Sequence, residues 1–503
     1  MLGMIAKIYS AIPHGYTGSI VEVEGDTNKG LPAFNIVGMA NKTINEARDR
    51  VRSALVNSSF RFPNQKVTIN LAPAELAKDG THLDLPIALA ILVLSGQLLA
   101  QDVSESIFVG ELALNGELRP IRGIINIVEQ AQQAGFKQII MPIANCQQAS
   151  LIKGIEIIGA TSLQEVFLIL KHEIKPKTQT CQIKPSQAIT SQPILDHIRG
   201  QTLAKRAITI AIAGHHNILF SGPPGAGKTL LAKAAANLLP ELSPMEQLSI
   251  TKLHSLAQPL DGIIQTRPFR TPHHTASPTA IIGGGMHALP GEISLAHHGV
   301  LFLDELPEYP RSVLEALRQP MEDKQITISR SQQKSTYPAD FMLIATMNPC
   351  PCGYANDPTH ECTCSAGQIA AYHKKLSGPL FDRIDMNIVV HKVDNADLLK
   401  KPIKTTTEHS VVKNTITEAR KRQQQRYGKT DFYNSSLSSH QVSTLLKITS
   451  DAQHFLTTAS EKLNLSARAY FKIIKVAQTI ADLEGASQIT STHITEALNF
   501  RQR

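Results

Sequence analysis

The chain has 503 residues, 42% apolar and 18% charged, enough to bury the cores of two to four domains. A formal charge of +8 is a mild basic excess, which permits a polyanionic partner without demanding one. The longest apolar run, 85–94, falls far short of the roughly 20 residues that span a bilayer, and Lys7 interrupts the N-terminal apolar stretch, which together exclude a membrane span and a signal peptide and predict a cytoplasmic protein.

In chain order, residues 1–170 alternate strand and helix patterns. Residues 20–24 and 66–71 have the two-residue period of strands, and 85–99, after Asp84, reads as a buried helix. The polar, Pro-punctuated segment 171–193 reads as a linker. Residues 194–394 carry a βαβ rhythm, and 395–503 are patterned as helices only, which predicts a helical lid. Neither a repeat nor a low-complexity tract is present.

The most informative stretch is Gly222, Pro223, Pro224, Gly225, Ala226, Gly227, Lys228 and Thr229, a full match to G-x-x-x-x-G-K-[ST]. A strand pattern precedes it at 217–221, and a helix pattern follows from Leu230 until Pro240 stops it. Glycines let successive N–H groups point at phosphate oxygens, and the helix N-terminus adds positive potential. Lys228 suits the β- and γ-phosphates of ATP, and the Thr229 hydroxyl suits Mg²⁺.

Residues 299–305 read as an apolar strand beside the P-loop strand, ending in Asp304, near the Mg²⁺ position, and Glu305, placed to orient the attacking water. A third buried strand, 341–348, ends in Asn348, either a partner for water or γ-phosphate or a plain turn former. Arg383 follows a short helix in 377–385; its planar fork suits transition-state phosphate, the alternative being an ion pair to Asp382 or Asp385. Arg468 opens a helix of the lid, within reach of nucleotide.

Four of the six cysteines form two pairs, Cys350 with Cys352 and Cys362 with Cys364. They can hold a structural Zn²⁺ or remain free thiols; His360 or His373 can replace one ligand. Cys146 and Cys181 stand alone, and the paired His273 and His274 read as hydrogen-bonding groups. Two segments interrupt the ATPase pattern: 263–290, with three glycines at 283–285, and 325–337. The second reads as a hairpin whose tip carries Arg330 and Lys334, cations for a phosphate backbone unless they merely solvate a turn.

Taken together, these motifs resemble the AAA+ ATPases, within the magnesium-chelatase-related branch and its ComM/YifB family. The pieces are Ile198-Arg-Gly-Gln201, the P-loop, Arg267-Pro-Phe-Arg-Thr-Pro-His-His-Thr275, Ile282-Gly-Gly-Gly285, the stretch from Pro290 to Glu305, Asn348-Pro-Cys-Pro-Cys-Gly353 and Ser377-Gly-Pro-Leu-Phe-Asp-Arg383. The resemblance implies an α/β P-loop core with a helical C-terminal lid. It makes Lys228 and Thr229 Walker A, Asp304 and Glu305 Walker B, Asn348 sensor 1, Arg383 a finger on a neighbour's ATP and Arg468 sensor 2. It implies a homo-oligomer, a hexameric ring, that acts as an ATP-driven helicase on branched or single-stranded DNA in natural transformation.

The N-terminal region carries a second resemblance, to the α+β Lon protease domain of the ribosomal S5 domain 2-like fold. It rests on Lys78-Asp-Gly80, Gly110-Glu-Leu-Ala-Leu-Asn-Gly-Glu-Leu-Arg-Pro-Ile121 and Ala131-Gln-Gln-Ala-Gly-Phe-Lys-Gln-Ile-Ile-Met-Pro142. His82 and Ile125 occupy the places of that enzyme's Ser nucleophile and Lys base, so a Ser–Lys mechanism is not expected. The competing reading for the whole chain is a chelatase-type ATPase that remodels a protein partner.

Overall fold

The computed structural model describes residues 5–38, 42–76, 78, 81–176, 195–260, 262–285, 288–329, 334–355, 357, 360–393 and 408–501. Most of the expected linker, together with Asp79, Gly80, Cys181 and Arg330, lies outside the described residues.

The N-terminal part is built on a mixed seven-stranded sheet. Its strands are β1 (Ala6–His14), β2 (Thr17–Asn28), β3 (Ala33–Val37), β4 (Lys66–Ala72), β5 (Ser106–Phe108), β6 (Gln138–Pro142) and β7 (Glu156–Ala160), in the order β3-β4-β2-β1-β5-β6-β7. Pairing is antiparallel among β4, β2 and β1 and parallel elsewhere. One face packs on α1 (Lys42–Asn57), α2 (Asp84–Leu94) and α4 (Leu163–Leu170); α3 (Ile124–Gln133) covers the other. Every residue of α2 is buried, as its continuous apolar run requires. The helix expected over 85–99 stops at Leu94, because Ser95 and Gly96 cap it and Gly96 takes a left-handed turn at φ 71°.

The second part is a parallel five-stranded sheet. Its strands are β8 (Ile218–Ser221), β9 (Phe269–Arg270), β10 (Val300–Leu303), β13 (Met342–Met347) and β14 (Met386–Val389); β11 (Gln325–Ser329) and β12 (Lys334–Pro338) form a separate antiparallel hairpin. The order is β9-β10-β13-β8-β14. The acidic strand β10 is therefore not beside the P-loop strand β8; the Asn348 strand β13 lies between them. Parallel strands joined by crossovers need not follow sequence order, and no local pattern encodes that order. Within the 263–290 segment, Phe269–Arg270 is itself an edge strand of this sheet.

Side chains alternate across these strands with a period of two. Ile218 and Phe220 face one core together with Val300, Phe302, Met342 and Ile344. Leu219, Leu301, Leu303, Leu343 and Ala345 face the other. Both faces are apolar, as in a parallel sheet covered on each side. The first core also takes α5 (Thr202–Gly214), α6 (Lys228–Leu238) and the C-terminal helices α10 (Glu408–Tyr427), α11 (Ser450–Lys462), α12 (Ala467–Glu484) and α13 (Ser491–Asn499), while α8 (Arg318–Asp323) and α9 (Ala366–Lys374) pack on the second.

The two sheets are spliced through α7 (Pro244–Ala257), which is N-capped by a Ser243–Glu246 capping box. The Lys252 ammonium pairs with Glu129 of α3 and lies 4.3 Å over the Tyr16 ring. The Gly123 N–H donates to Ser255 O (2.9 Å), and Gln148 donates to Leu260 O (2.6 Å). A hydrogen-bond chain links Tyr16 with Ser249 (2.9 Å), Ser249 accepts from His297 Nε2–H (3.1 Å), and His297 Nδ1 accepts the Asp340 N–H (3.0 Å).

His297 is 6% exposed, and burial pushes its pKa down to about 3. As pH falls from about 6.5, the unfolded chain takes up this proton before the folded one, so the stability His297 contributes at neutral pH is lost on acidification toward pH 3. The expected slope is at most about 1.4 kcal/mol per pH unit. The melting temperature of wild type should therefore fall more steeply from about pH 7 to pH 5 than that of His297→Gln. Parallel curves would remove His297 from this role.

Candidate nucleotide-binding site

The P-loop joins the C-terminal end of β8 to the start of α6, at the sheet edge where parallel strands present their tips. Gly227 caps α6 at φ 87°, a conformation that any side chain would strain, and from there the helix N-terminus faces the cradle.

Three strand tips converge on this cradle. The Lys228 ammonium donates to Asn348 Oδ1 (3.0 Å), Gly222 O (2.5 Å) and Pro223 O (3.0 Å). Burial lowers the Lys228 pKa, with Asp304 and Glu305 opposing that trend. The Thr229 hydroxyl donates to Asp304 Oδ2 (3.1 Å), so two hard oxygens of the kind Mg²⁺ prefers sit together at the helix start. Glu305 follows with a left-handed backbone at φ 53°, unusual for a non-glycine residue, which turns its carboxylate off the strand line.

One residue here was not singled out in the sequence. Thr346, fully buried in β13, donates to the other Asp304 oxygen and accepts the Glu305 N–H (3.0 Å). A single hydroxyl thus fixes both members of the acidic pair. Its signal was a lone hydroxyl inside an otherwise apolar strand. Gln201, the last residue of the Ile198–Gln201 stretch, adds a further tie: its amide donates to Ala226 O (3.2 Å) and His391 O (2.6 Å), joining α5 to the P-loop and to the chain beyond β14.

Arg383 and Arg468 lie at the opposite edge of the sheet. The Asn217 side chain donates to Arg383 O (3.1 Å), its backbone N–H donates to the Asp385 carboxylate (2.9 Å), and its carbonyl accepts the Asp385 N–H (2.9 Å), so Arg383 sits level with the N-terminal end of β8. The five-residue advance from Asn217 to Gly222 spans about 16 Å at strand rise. Arg383 pairs with Glu322 of the Arg318–Asp323 helix, rather than with Asp382 or Asp385, and also donates to Pro379 O (2.6 Å). Arg468, at the start of α12, meets the same Glu322 at 3.3 Å. Both arginines line a cleft of about 580 Å³ between the sheet and the C-terminal helices.

The remaining candidates divide. The Sγ atoms of Cys350, Cys352, Cys362 and Cys364 all lie within 4.8 Å of one another. His373 instead meets Pro349 O (3.1 Å), and His360 stacks on Tyr354, so neither histidine joins the thiols. The hairpin forms, with Ser329 opposite Lys334 and Lys334 exposed. His273 stacks on His274 and bonds the Thr275 hydroxyl (2.7 Å). Arg267 and Arg270 are structural: Arg267 holds Glu246 through two hydrogen bonds of 2.9 and 3.0 Å, and Arg270 holds Glu292 through two of 2.6 Å. In the N-terminal part His82 contacts Arg122 O (3.1 Å), and Ile125 is fully buried in the α3 core.

Removing the Thr346 hydroxyl should therefore free the Asp304 carboxylate and leave the Glu305 N–H without its partner, while leaving the apolar strand packed. Thr346→Val is expected to lower ATP turnover roughly 10- to 100-fold, with Thr346→Ser near wild type, by analogy with the loss of other groups that orient ligands. Turnover in Thr346→Val equal to wild type would separate this residue from the acidic pair. Lys228→Ala should abolish nucleotide binding in a direct titration.

Comparisons with known proteins agree with this arrangement. Family models described as magnesium chelatase subunit ChlI match residues 194–398 and 23–145, and the ChlI C-terminal model matches 406–501. The chain is 43% identical to competence protein ComM of Haemophilus influenzae, over 99% of this chain and 97% of the relative. It is 42% identical to the uncharacterized protein YifB of Escherichia coli over the same shares. A magnesium-chelatase 67 kDa subunit of Chlorobaculum parvum is 28% identical over 30% of this chain and 23% of its own length. With its P-loop, acidic strand and helical C-terminal region all present, the chain belongs to the ComM/YifB family of magnesium-chelatase-related AAA+ ATPases.

Proposed function

We propose that this chain is the subunit of an ATP-driven ring, a hexamer in keeping with the family resemblance, that moves branched or forked DNA during uptake and recombination in the cytoplasm. The observation that carries the reading is the separation of the two arginines from their own P-loop. Arg383 and Arg468 stand at the strand ends opposite the P-loop, which supports a reading in which the triphosphate they serve is held by the next subunit. Arg383 then neutralises charge developing on the transferred phosphoryl group, and Arg468 senses the same phosphate from the C-terminal domain.

Within one cradle, Lys228 and the P-loop N–H groups hold the phosphates, and Thr229 and Asp304 would hold Mg²⁺, which supplies charge neutralisation when bound. Glu305 orients and deprotonates the attacking water; Asn348 bonds that water or the γ-phosphate. Among the described residues no helix is long and apolar enough to cross a membrane.

The DNA half of the proposal draws on two supports. One relative bears the name competence protein. The hairpin β11–β12 presents Lys334 at its end, and Arg330 stands four positions earlier in the sequence; repeated around a ring, such cations make a collar for a phosphate backbone. The N-terminal part, without a Ser–Lys pair, then serves ring building or DNA contact. The second reading, a protein-remodelling ATPase, is favoured by the partial match to a magnesium-chelatase subunit.

Three outcomes follow. ATP turnover should rise on adding branched DNA and fall back in Lys334→Glu; indifference to every DNA would favour the remodelling reading. Glu305→Gln should bind ATP and stall. Arg383→Ala and Lys228→Ala should each be inactive alone yet regain part of the activity when mixed, since each supplies what the other lacks; a mixture that stays dead while assembling normally would contradict action across the interface.

A further inference from the structure

We propose that Cys350, Cys352, Cys362 and Cys364 bind one zinc ion, and that the loop so closed holds the P-loop and Asn348 in register; the second half rests on the ATPase reading above.

The arrangement of the thiols argues for a metal. Cys350 and Cys352 Sγ are 3.3 Å apart, Cys350 and Cys362 3.7 Å, and Cys352 and Cys362 3.6 Å. A tetrahedron of sulfurs around zinc, with Zn–S of about 2.3 Å, has edges of about 3.8 Å. Disulfides would instead set the sulfurs in exclusive pairs at about 2.05 Å, whereas here each of these three sulfurs is near both others. An all-sulfur donor set selects a soft ion such as zinc over Mg²⁺ or Ca²⁺. Backbone donors already point at the ligands: the Cys352 N–H at Cys364 Sγ (3.4 Å) and the Ala355 N–H at Cys350 Sγ (3.2 Å). Such N–H contacts stabilise thiolate charge.

Position gives the site its role. The loop leaves β13 at Asn348, the residue whose side chain accepts from Lys228, and reaches Cys350 two residues later. Gly353, at φ 88°, then packs against the P-loop itself: a Cβ there would stand 2.7 Å from both Cδ and Cγ of Pro224. On the outer side His373, in the helix Ala366–Lys374, contacts Pro349 O. Between β13 and that helix no described residue belongs to a strand or helix, so neither ladder nor helical hydrogen bonds hold the loop together. Closing it through four thiolates fixes two walls of the phosphate cradle, one through Gly353 on Pro224 and one through Asn348 on Lys228. Zinc content and nucleotide affinity are thereby linked through contact, with the zinc itself away from the reacting atoms.

The test uses the full-length chain. Elemental analysis of the purified protein should find one zinc per chain, and Cys362→Ser/Cys364→Ser should lose it. Titration with mant-ATP should show affinity at least about 10-fold weaker in that double variant, the range expected when groups that support a ligand site are removed. Should the double variant fail to fold, chelator treatment of wild type, with affinity restored by added zinc, reads the same link. Gly353→Ala isolates the contact: zinc should stay at one per chain while mant-ATP affinity falls. Metal-free wild type, or iron in place of zinc, would overturn the metal site. Wild-type affinity in Gly353→Ala or in the zinc-stripped chain would overturn the coupling. A chain that holds zinc and binds no nucleotide under any condition would sink the ATPase reading and the coupling with it, and leave the metal site standing.

Discussion

The interaction on which the nucleotide site depends is the insertion of β13 between the P-loop strand and the acidic strand. Because β13 is central, its tip can face both neighbours at once. Thr346 reaches the acidic pair on one side, and Asn348 reaches Lys228 on the other. One strand, apolar on both faces, thus holds the Asp304 carboxylate, the Glu305 backbone and the Lys228 ammonium. A site assembled this way is stiff along the sheet and is adjusted mainly by the loops that leave the tips.

The same parallel sheet has a second edge, and the chain places its arginines there. Glu322 joins the two of them, one from the core and one from the C-terminal helices. That carboxylate is half exposed, and such a pair contributes little stability on its own, on the order of 1 kcal/mol or less. Both guanidinium groups thus share one weakly held carboxylate at the strand ends opposite the P-loop.

Much of this was legible in the sequence, for identifiable reasons. The P-loop is a local motif in which chemistry and backbone geometry coincide, so Lys228, Thr229 and the start of α6 could be placed from residue spacing alone. The apolar runs ending in Asp304 and Asn348 were readable as strands because both faces are buried and polar tips are rare there. Strand order was not readable, since hydrophobic pattern says which residues are inside and nothing about which strand is beside which; β10 was for that reason set next to β8. Glu322 gave no signal, as a lone acid on a short helix resembles any solvated residue. The thiols were suggested by count, and only the folded loop shows that two tight pairs meet. The end of α2 was written in Ser95 and Gly96, but the apolar run on either side masked it.

The splice through α7 makes the two sheets one connected body. Tyr16, Ser249, His297 and the Asp340 N–H connect the N-terminal sheet to the chain just ahead of β13. Gly15 also comes close to Ser335 of the hairpin, which would lie 3.2 Å from a Cβ at that glycine. With both sheets tied to one another in this way, a displacement of the N-terminal half is transmitted to the P-loop core through α7, and the hairpin is braced against the turn at Gly15.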